Sequence, residues 1–236
     1  MKKTLLELGG KSAHIVLDDA DFNSALPLAA MMACVMSGQS CILPSRILLP
    51  RSRYDEGVEL LKSSMENVPV GDPWTPGNMQ GPQISQTQRE KVLGLIRSGI
   101  DSGARLVTGG GIPDNLPTGY YVSPTLLAEV DPDAQVAQEE IFGPVLTVTA
   151  YDTEDDAVSI ANNSIYGLSG EVSSGDVDRA LGVAKRMRTG NVTINGKSHF
   201  GIKSPFGGTK QSGLGRRNGD EGFREYLEGK TIGLPG

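Results

Sequence analysis

The chain has 236 residues, 38% of them hydrophobic, which is enough to bury a sizeable core in one large domain or two small ones. Its 22 basic and 28 acidic side chains leave a formal charge of −6 without any basic cluster, which argues against nucleic acid or an anionic membrane as partner. No run of 18 apolar residues exists, so no membrane span is expected, and 31 glycines suit a turn-rich α/β protein better than a helical bundle.

Met1-Lys2-Lys3 opens like a signal peptide, but the apolar run behind it stops at Glu7, too short for such a segment. Thr4 to Leu8 reads as a short strand ended by Gly9-Gly10, and Ala13 to Leu17 as a second strand. Asp18, Asp19 and Asp21 supply capping oxygens and first-turn negative charge for a helix. Ala25, Leu28, Ala29, Met32, Val35 and Met36 recur at helical spacing and predict that this helix runs to about Ser37-Gly38. Cys41 then falls just beyond a helix C-terminus, an end that does not help a thiolate. The two cysteines, Cys34 and Cys41, share this one stretch and form no disulfide framework, which fits reduced thiols in a cytoplasmic protein.

Arg46 to Leu49 reads as a buried strand and Tyr54 to Met65 as an amphipathic helix. Residues 71–77 are a loop by composition. Ser85-Gln86-Thr87-Gln88 has the form of a capping box and predicts a helix to about Ser102, buried through Val92, Leu95, Ile96 and Ile100. Arg105 to Thr108 is a strand closed by glycines, Gly109 to Thr118 a surface loop, and Tyr120 to Val130 extended. Pro144 to Ala150 reads as a strand, Thr153 caps a helix to Asn162, and Leu168 to Ser173 is a strand. Asp176 caps a helix to about Arg188, and Gly190 to Asn195 is a further strand. A long glycine-rich loop spans 196–218, a length usually kept for function. Gly222 to Tyr226 reads as a helical turn and Leu227 to Ile232 as a last strand. The alternation predicts an α/β three-layer sandwich with a mostly parallel sheet between two helical layers.

Glu7 and Cys41 are the residues that carry chemistry. They lie 34 residues apart, and the elements between them can fold them back together. A thiol beside a carboxylate is a nucleophile with a candidate base. Such a carboxylate works near neutral pH only when its pKa is raised, usually by burial. The structural alternative for Glu7 is to cap the N–H groups of Gly9 and Gly10, and for Cys41 to be a small core residue. Cys34 takes the core reading. His14 and His199 match no metal or triad spacing, and no metal site is expected. No G-x-G-x-x-G opens a βαβ unit.

Leu6-Glu7-Leu8-Gly9-Gly10-Lys11-Ser12 resembles the glutamate motif of the aldehyde dehydrogenase superfamily, and Gly38-Gln39-Ser40-Cys41 resembles its cysteine motif, at the family's spacing. Gly81-Pro82-Gln83, the run Gln138 to Val145, and Pro205-Phe206-Gly207-Gly208 with Lys210-Gln211-Ser212-Gly213 extend the resemblance from Thr4 to Thr231. It resembles only the second, C-terminal half of such an enzyme. Residues 1–8 then correspond to a remnant of the nucleotide-binding domain, 9–226 to the catalytic domain, and 227–236 to an oligomerisation strand that pairs with another copy.

The resemblance implies NAD- or NADP-dependent oxidation of a small-molecule aldehyde through a thiohemiacetal and thioester on Cys41, with Glu7 as general base. It further implies that Glu140, Phe142 and Gln83 meet the cofactor, and that Phe206 and Phe200 wall the substrate funnel. One departure is visible: Ile42-Leu43-Pro44 follows Cys41, where the family has smaller residues. The competing expectation is a fragment that keeps only fold and oligomer interface, or a residual thiol esterase.

Overall fold

A computed structural model describes residues 2–197 and 201–236. The chain runs β1 (Leu6–Glu7), β2 (Ser12–Val16), α1 (Phe22–Cys34), β3 (Pro44–Pro50), α2 (Tyr54–Glu66), α3 (Gln86–Asp101), β4 (Arg105–Thr108), β5 (Thr125–Ala128) and α4 (Gln135–Gln138). It continues β6 (Val145–Tyr151), α5 (Glu154–Asn162), β7 (Tyr166–Gly167), β8 (Ser169–Ser173), α6 (Val177–Ala184), β9 (Asn191–Ile194), β10 (Thr209–Lys210), β11 (Gly213–Leu214) and α7 (Gly219–Arg224). Seven strands form one sheet in the order β4-β5-β6-β3-β2-β8-β9, parallel throughout except for the edge pair β4-β5. The expected mostly parallel sheet between two helical layers is therefore present.

Strand periodicity decides which helix covers which face. Val16, Ile47, Leu49, Leu126 and Val148 point to one face and pack with Phe22, Leu26 and Ala30 of α1 and Val58 and Leu61 of α2. Ile15, Leu48 and Val172 point to the other and meet Ala157 of α5 and Val183 of α6. On that same side Leu127 and Val145 pack with Val92, Leu95 and Ile96 of α3 and Val136 of α4. A fully buried Leu such as Leu26 contributes about 1.5–3 kcal/mol, so these faces, not helix propensity, hold the layers together.

Several boundaries differ from the sequence expectation for identifiable reasons. Helix α1 stops at Cys34, because Met36, Ser37 and Gly38 all take left-handed φ values of 51°, 59° and 71°. Cys34 is thus its last residue and not mid-helix. The Ser85 cap forms, with Ser85 Oγ accepting from Gln88 N, but Gln88 does not close the box. Its side chain instead donates to the carbonyls of Ile141 (3.0 Å) and Phe142 (2.8 Å). Gly99 takes the buried position expected for Ile100, which is 37% exposed. Helix α6 ends at Ala184, short of Arg188. The short helix α4 was not expected. Pro44 begins β3 where the β2–β3 register shifts, so the ladder tolerates its missing N–H. Residues 227–236 form neither helix nor strand within the chain, so the expected final strand is absent from the fold as it stands.

Candidate active site

Two turns meet at the edge of the α1 layer. The first, Gly9-Gly10, connects β1 to β2. A Cβ on Gly10 would lie 2.2 Å from the Cys41 carbonyl oxygen, so only glycine lets these two segments touch. Gly10 N donates to Glu140 Oε1 at 2.8 Å, and Ser212 Oγ donates to Gly9 O at 2.7 Å. The Gly10 cap that was the structural alternative for Glu7 is thus supplied by Glu140. Residues of the Gln138–Val145 and Gln211-Ser212-Gly213 motifs therefore hold the turn that carries Glu7. Lys91 Nζ, donating to Glu140 O at 2.9 Å, and Gln88 hold the Glu140–Phe142 segment in turn.

The second turn, residues 36–40, leads into Cys41. Gly38 packs so closely on Gly143 that a Cβ would stand 2.1 Å from its carbonyl carbon. A cleft between the turns is lined by Gly10, Gly38, Ser40, Glu140 and Phe142. Cys41 is half-buried and free, and Cys34 is free and fully buried. Burial pushes the Cys41 thiol up, the Glu140 carboxylate pushes it further, and Glu7 adds a smaller push in the same direction, against a lowering backbone hydrogen bond. Burial alone pushes Cys34 to about 12. A Cys41 thiolate therefore needs a positive charge or a proton acceptor brought to it.

Glu7 is not buried: its side chain is 27% exposed, and its Oε2 lies 3.3 Å from Arg217 Nη1. The burial expected of a general base is not met in this conformation, and an ion pair stands there instead. Phe206 is half-buried and exchanges backbone hydrogen bonds of 2.7 Å with Arg217, which places it beside the Glu7 partner. Phe200 and His199 lie outside the described residues. Gln83 does not line the cleft. It is 2% exposed, its Nε2 donates to Ser37 O of the cysteine turn at 2.9 Å, and its Oε1 has no hydrogen-bond partner among the described residues. His14 is buried with Nε2 2.8 Å from Ser173 Oγ, the structural role expected of it.

Residues to which the sequence assigned no role in the site also surround it. Lys11 is 3% exposed, and its Nζ has no hydrogen-bond partner among the described residues. Burial, with the neighbouring Arg46 guanidinium, lowers it to about 7 against the opposing pull of Glu140 and Glu139. Arg217 carried no local signal, and the capping-box form around Gln88 and the motif around Ser212 did not reveal their partners, since each acts on a residue more than 50 positions away. Among the described residues no group of acidic, histidine or cysteine side chains could hold a metal ion, and no helix is long and apolar enough to cross a membrane.

Glu140 and Phe142 line one cleft, which brings together a carboxylate able to accept hydroxyl hydrogen bonds and an aromatic side chain. The sequence holds no G-x-G-x-x-G helix start for a pyrophosphate.

The profile of the aldehyde dehydrogenase family matches residues 1–232. The chain is 47% identical over 98% of its length to 3-succinoylsemialdehyde-pyridine dehydrogenase of a Pseudomonas species, of which it covers 49%. It is 43% identical over 98% of its length to aldehyde dehydrogenase 1A1 of Homo sapiens, of which it covers 46%. Its fold superposes with a TM-score of 0.95 and 48% identity on the Mycobacterium tuberculosis aldehyde dehydrogenase complexed with NAD+, covering 98% of this chain and 48% of that one. The chain thus spans about half the length of the relatives it matches. By these matches the chain belongs to the aldehyde dehydrogenase family.

Proposed function

We propose that this chain is the catalytic, C-terminal half of an NAD(P)-dependent aldehyde dehydrogenase, with Cys41 as nucleophile and Glu7 as general base. The observation that carries the reading is the meeting of Cys41 with the glutamate-bearing Gly9-Gly10 turn and with Glu140. Cys41 Sγ attacks the aldehyde carbon and then carries the acyl group as a thioester. Water releases the acid, and Glu7, freed from Arg217, takes the proton of that water. Glu140 and Phe142 hold the nicotinamide ribose and ring. When bound, the cofactor supplies the two-electron oxidation and a positive ring beside the thiol. Phe206, with Phe200, walls the aldehyde. Residues 1–8 belong with the nucleotide-binding half, 9–226 make the catalytic domain, and 227–236 are the oligomerisation tail of a homo-oligomer. Exposed Leu227, Ile232 and Leu234 favour that role for the tail. Two free thiols fit a cytoplasmic protein.

An activated ester already has the acyl oxidation level, so p-nitrophenyl acetate tests the thiol and base without the cofactor. Turnover should vanish in Cys41→Ala, and Glu7→Gln should slow deacylation and let the acyl-enzyme accumulate. Iodoacetamide should label Cys41 before Cys34. Turnover unchanged in Cys41→Ala, or labelling of Cys34 first, would leave only the reading of a fragment that keeps fold and interface.

A further inference from the structure

We propose that residues 80–84 form a strap that positions the Cys41 turn, and that Gln83 is its positioning residue. This rests on the reading of Cys41 as the nucleophile. Three residues in succession, Met36, Ser37 and Gly38, sit in the left-handed region, and two of them are not glycine. Such a run persists only where the surroundings over-determine it. Here the surroundings are visible on both sides. On one side Gly38 abuts the Gly143 backbone. On the other the strap contacts the middle residue, Ser37, through both its backbone and its side chain. Gln83 Nε2 donates to Ser37 O at 2.9 Å, and Ser37 Oγ donates to Gly81 O at 2.9 Å. Gln39 spans the remaining gap: its Nε2 donates to Met36 O at 3.2 Å, and its Oε1 accepts from Ile84 N at 2.9 Å.

The strap is itself anchored away from the turn. Gln83 N donates to Tyr120 O at 2.9 Å, Gln80 Nε2 to Val122 O at 2.6 Å, and Gln80 N to Pro69 O at 3.1 Å. Gln80 and Gln83 are both buried, so water does not replace these bonds at no cost. The turn is thus gripped between the strap and Gly143, three residues before the thiol. Releasing the grip lets residues 36–38 relax to ordinary φ values and lets Cys41 leave Gly10, Glu140 and Glu7. The thiol then becomes more accessible but less well placed against the base.

Gln83→Met keeps the length of the side chain and removes its amide donor. Losing one buried donor corresponds to a change of roughly tenfold in the balance between gripped and released turn. The expected result is a Cys41 iodoacetamide rate that rises by up to about that factor relative to Cys34, with a labelling midpoint shifted to lower pH, while p-nitrophenyl acetate turnover falls. Ser37→Ala, which removes only the Ser37 Oγ bond to Gly81, should give a smaller change of the same sign and serves if Gln83→Met does not fold. An unchanged Cys41 rate and midpoint in both variants overturns the proposal. So does an equal rise at Cys34 and Cys41, which would make the strap a part of the fold alone. The labelling ratio does not use turnover, so a failure of the strap is distinct from ester turnover that survives Cys41→Ala.

Discussion

The two turns that bring Glu7 and Cys41 together are built on opposite principles. The Gly9-Gly10 turn has room for nothing but glycine at Gly10, takes ordinary backbone angles, and is held by side chains from far along the chain, Glu140 and Ser212. The 36–38 turn holds non-glycine residues in left-handed angles and is held by backbone and amide contacts from the neighbouring 80–84 segment. The first turn spends space and the second spends conformational strain. Cys41 thus follows the strained turn and Glu7 precedes the relaxed one.

The sharpest way to break the comparison is to add one methyl group to each turn. Gly38→Ala meets Gly143 and Pro144 backbone atoms and also forces alanine into φ +71°, whereas Gly10→Ala clashes with the Cys41 carbonyl without a left-handed angle. Both should be severely destabilised, by more than about 3 kcal/mol, with Gly38→Ala worse by about 1–2 kcal/mol for its left-handed angle. Urea denaturation read by circular dichroism ranks them, and equal losses would remove strain from the account of the second turn.

Ser212→Ala tests the remote support of the first turn. It removes the donor to Gly9 O and the acceptor for Gly167 N (2.9 Å) at a fully buried position. The expected loss is about 1–3 kcal/mol of unfolding free energy, read by urea denaturation, without any rise in the Cys41 to Cys34 labelling ratio. A raised ratio would show that the two turns are not independent.

Lys11 makes the first turn pH-dependent. Burial lowers its folded pKa to about 7 from the ordinary lysine value of 10.5, so the unfolded chain binds the extra proton between these values. Its contribution to stability is therefore greatest above pH 10.5 and is lost as pH falls toward 7. Lys11→Met should be more stable than the parent at pH 7 and should flatten this part of the stability–pH curve, measured by urea midpoints from pH 7 to pH 10. A parent curve that rises over this interval no more steeply than that of Lys11→Met would place the ammonium in a solvated or paired position.

The smallest effect on stability is expected for Arg217→Gln, because the Glu7–Arg217 pair is partly exposed and worth about 0–1 kcal/mol. Its effect should be on chemistry: Glu7 is released, and deacylation of an acetylated Cys41 quickens. Stopped-flow with p-nitrophenyl acetate separates the acylation burst from the slower phase, and an unchanged slow phase would mean that Arg217 does not restrain the base.

The sheet and its helices were legible in the chain because periodicity is local. Alternation in Ile15-Val16 and Leu48-Leu49 and the caps at Ser85, Thr153 and Asp176 each depend on neighbours within a few residues. The cysteine and glutamate motifs were legible for the same reason, as short strings at fixed spacing. What the tertiary structure alone decided is which side chain serves which turn. The helix before Cys41 stops at Cys34 because a strap 44 to 46 positions away holds Ser37, and no periodicity in residues 22–38 encodes that. Glu140 rather than Glu7 takes the Gly10 amide, Arg217 takes Glu7, Gln83 is buried under the cysteine turn, and Lys11 loses its water. Each of these depends on distances between segments that meet only after the sheet has closed. Hydrogen bonding and desolvation respond to those distances and not to position in the sequence.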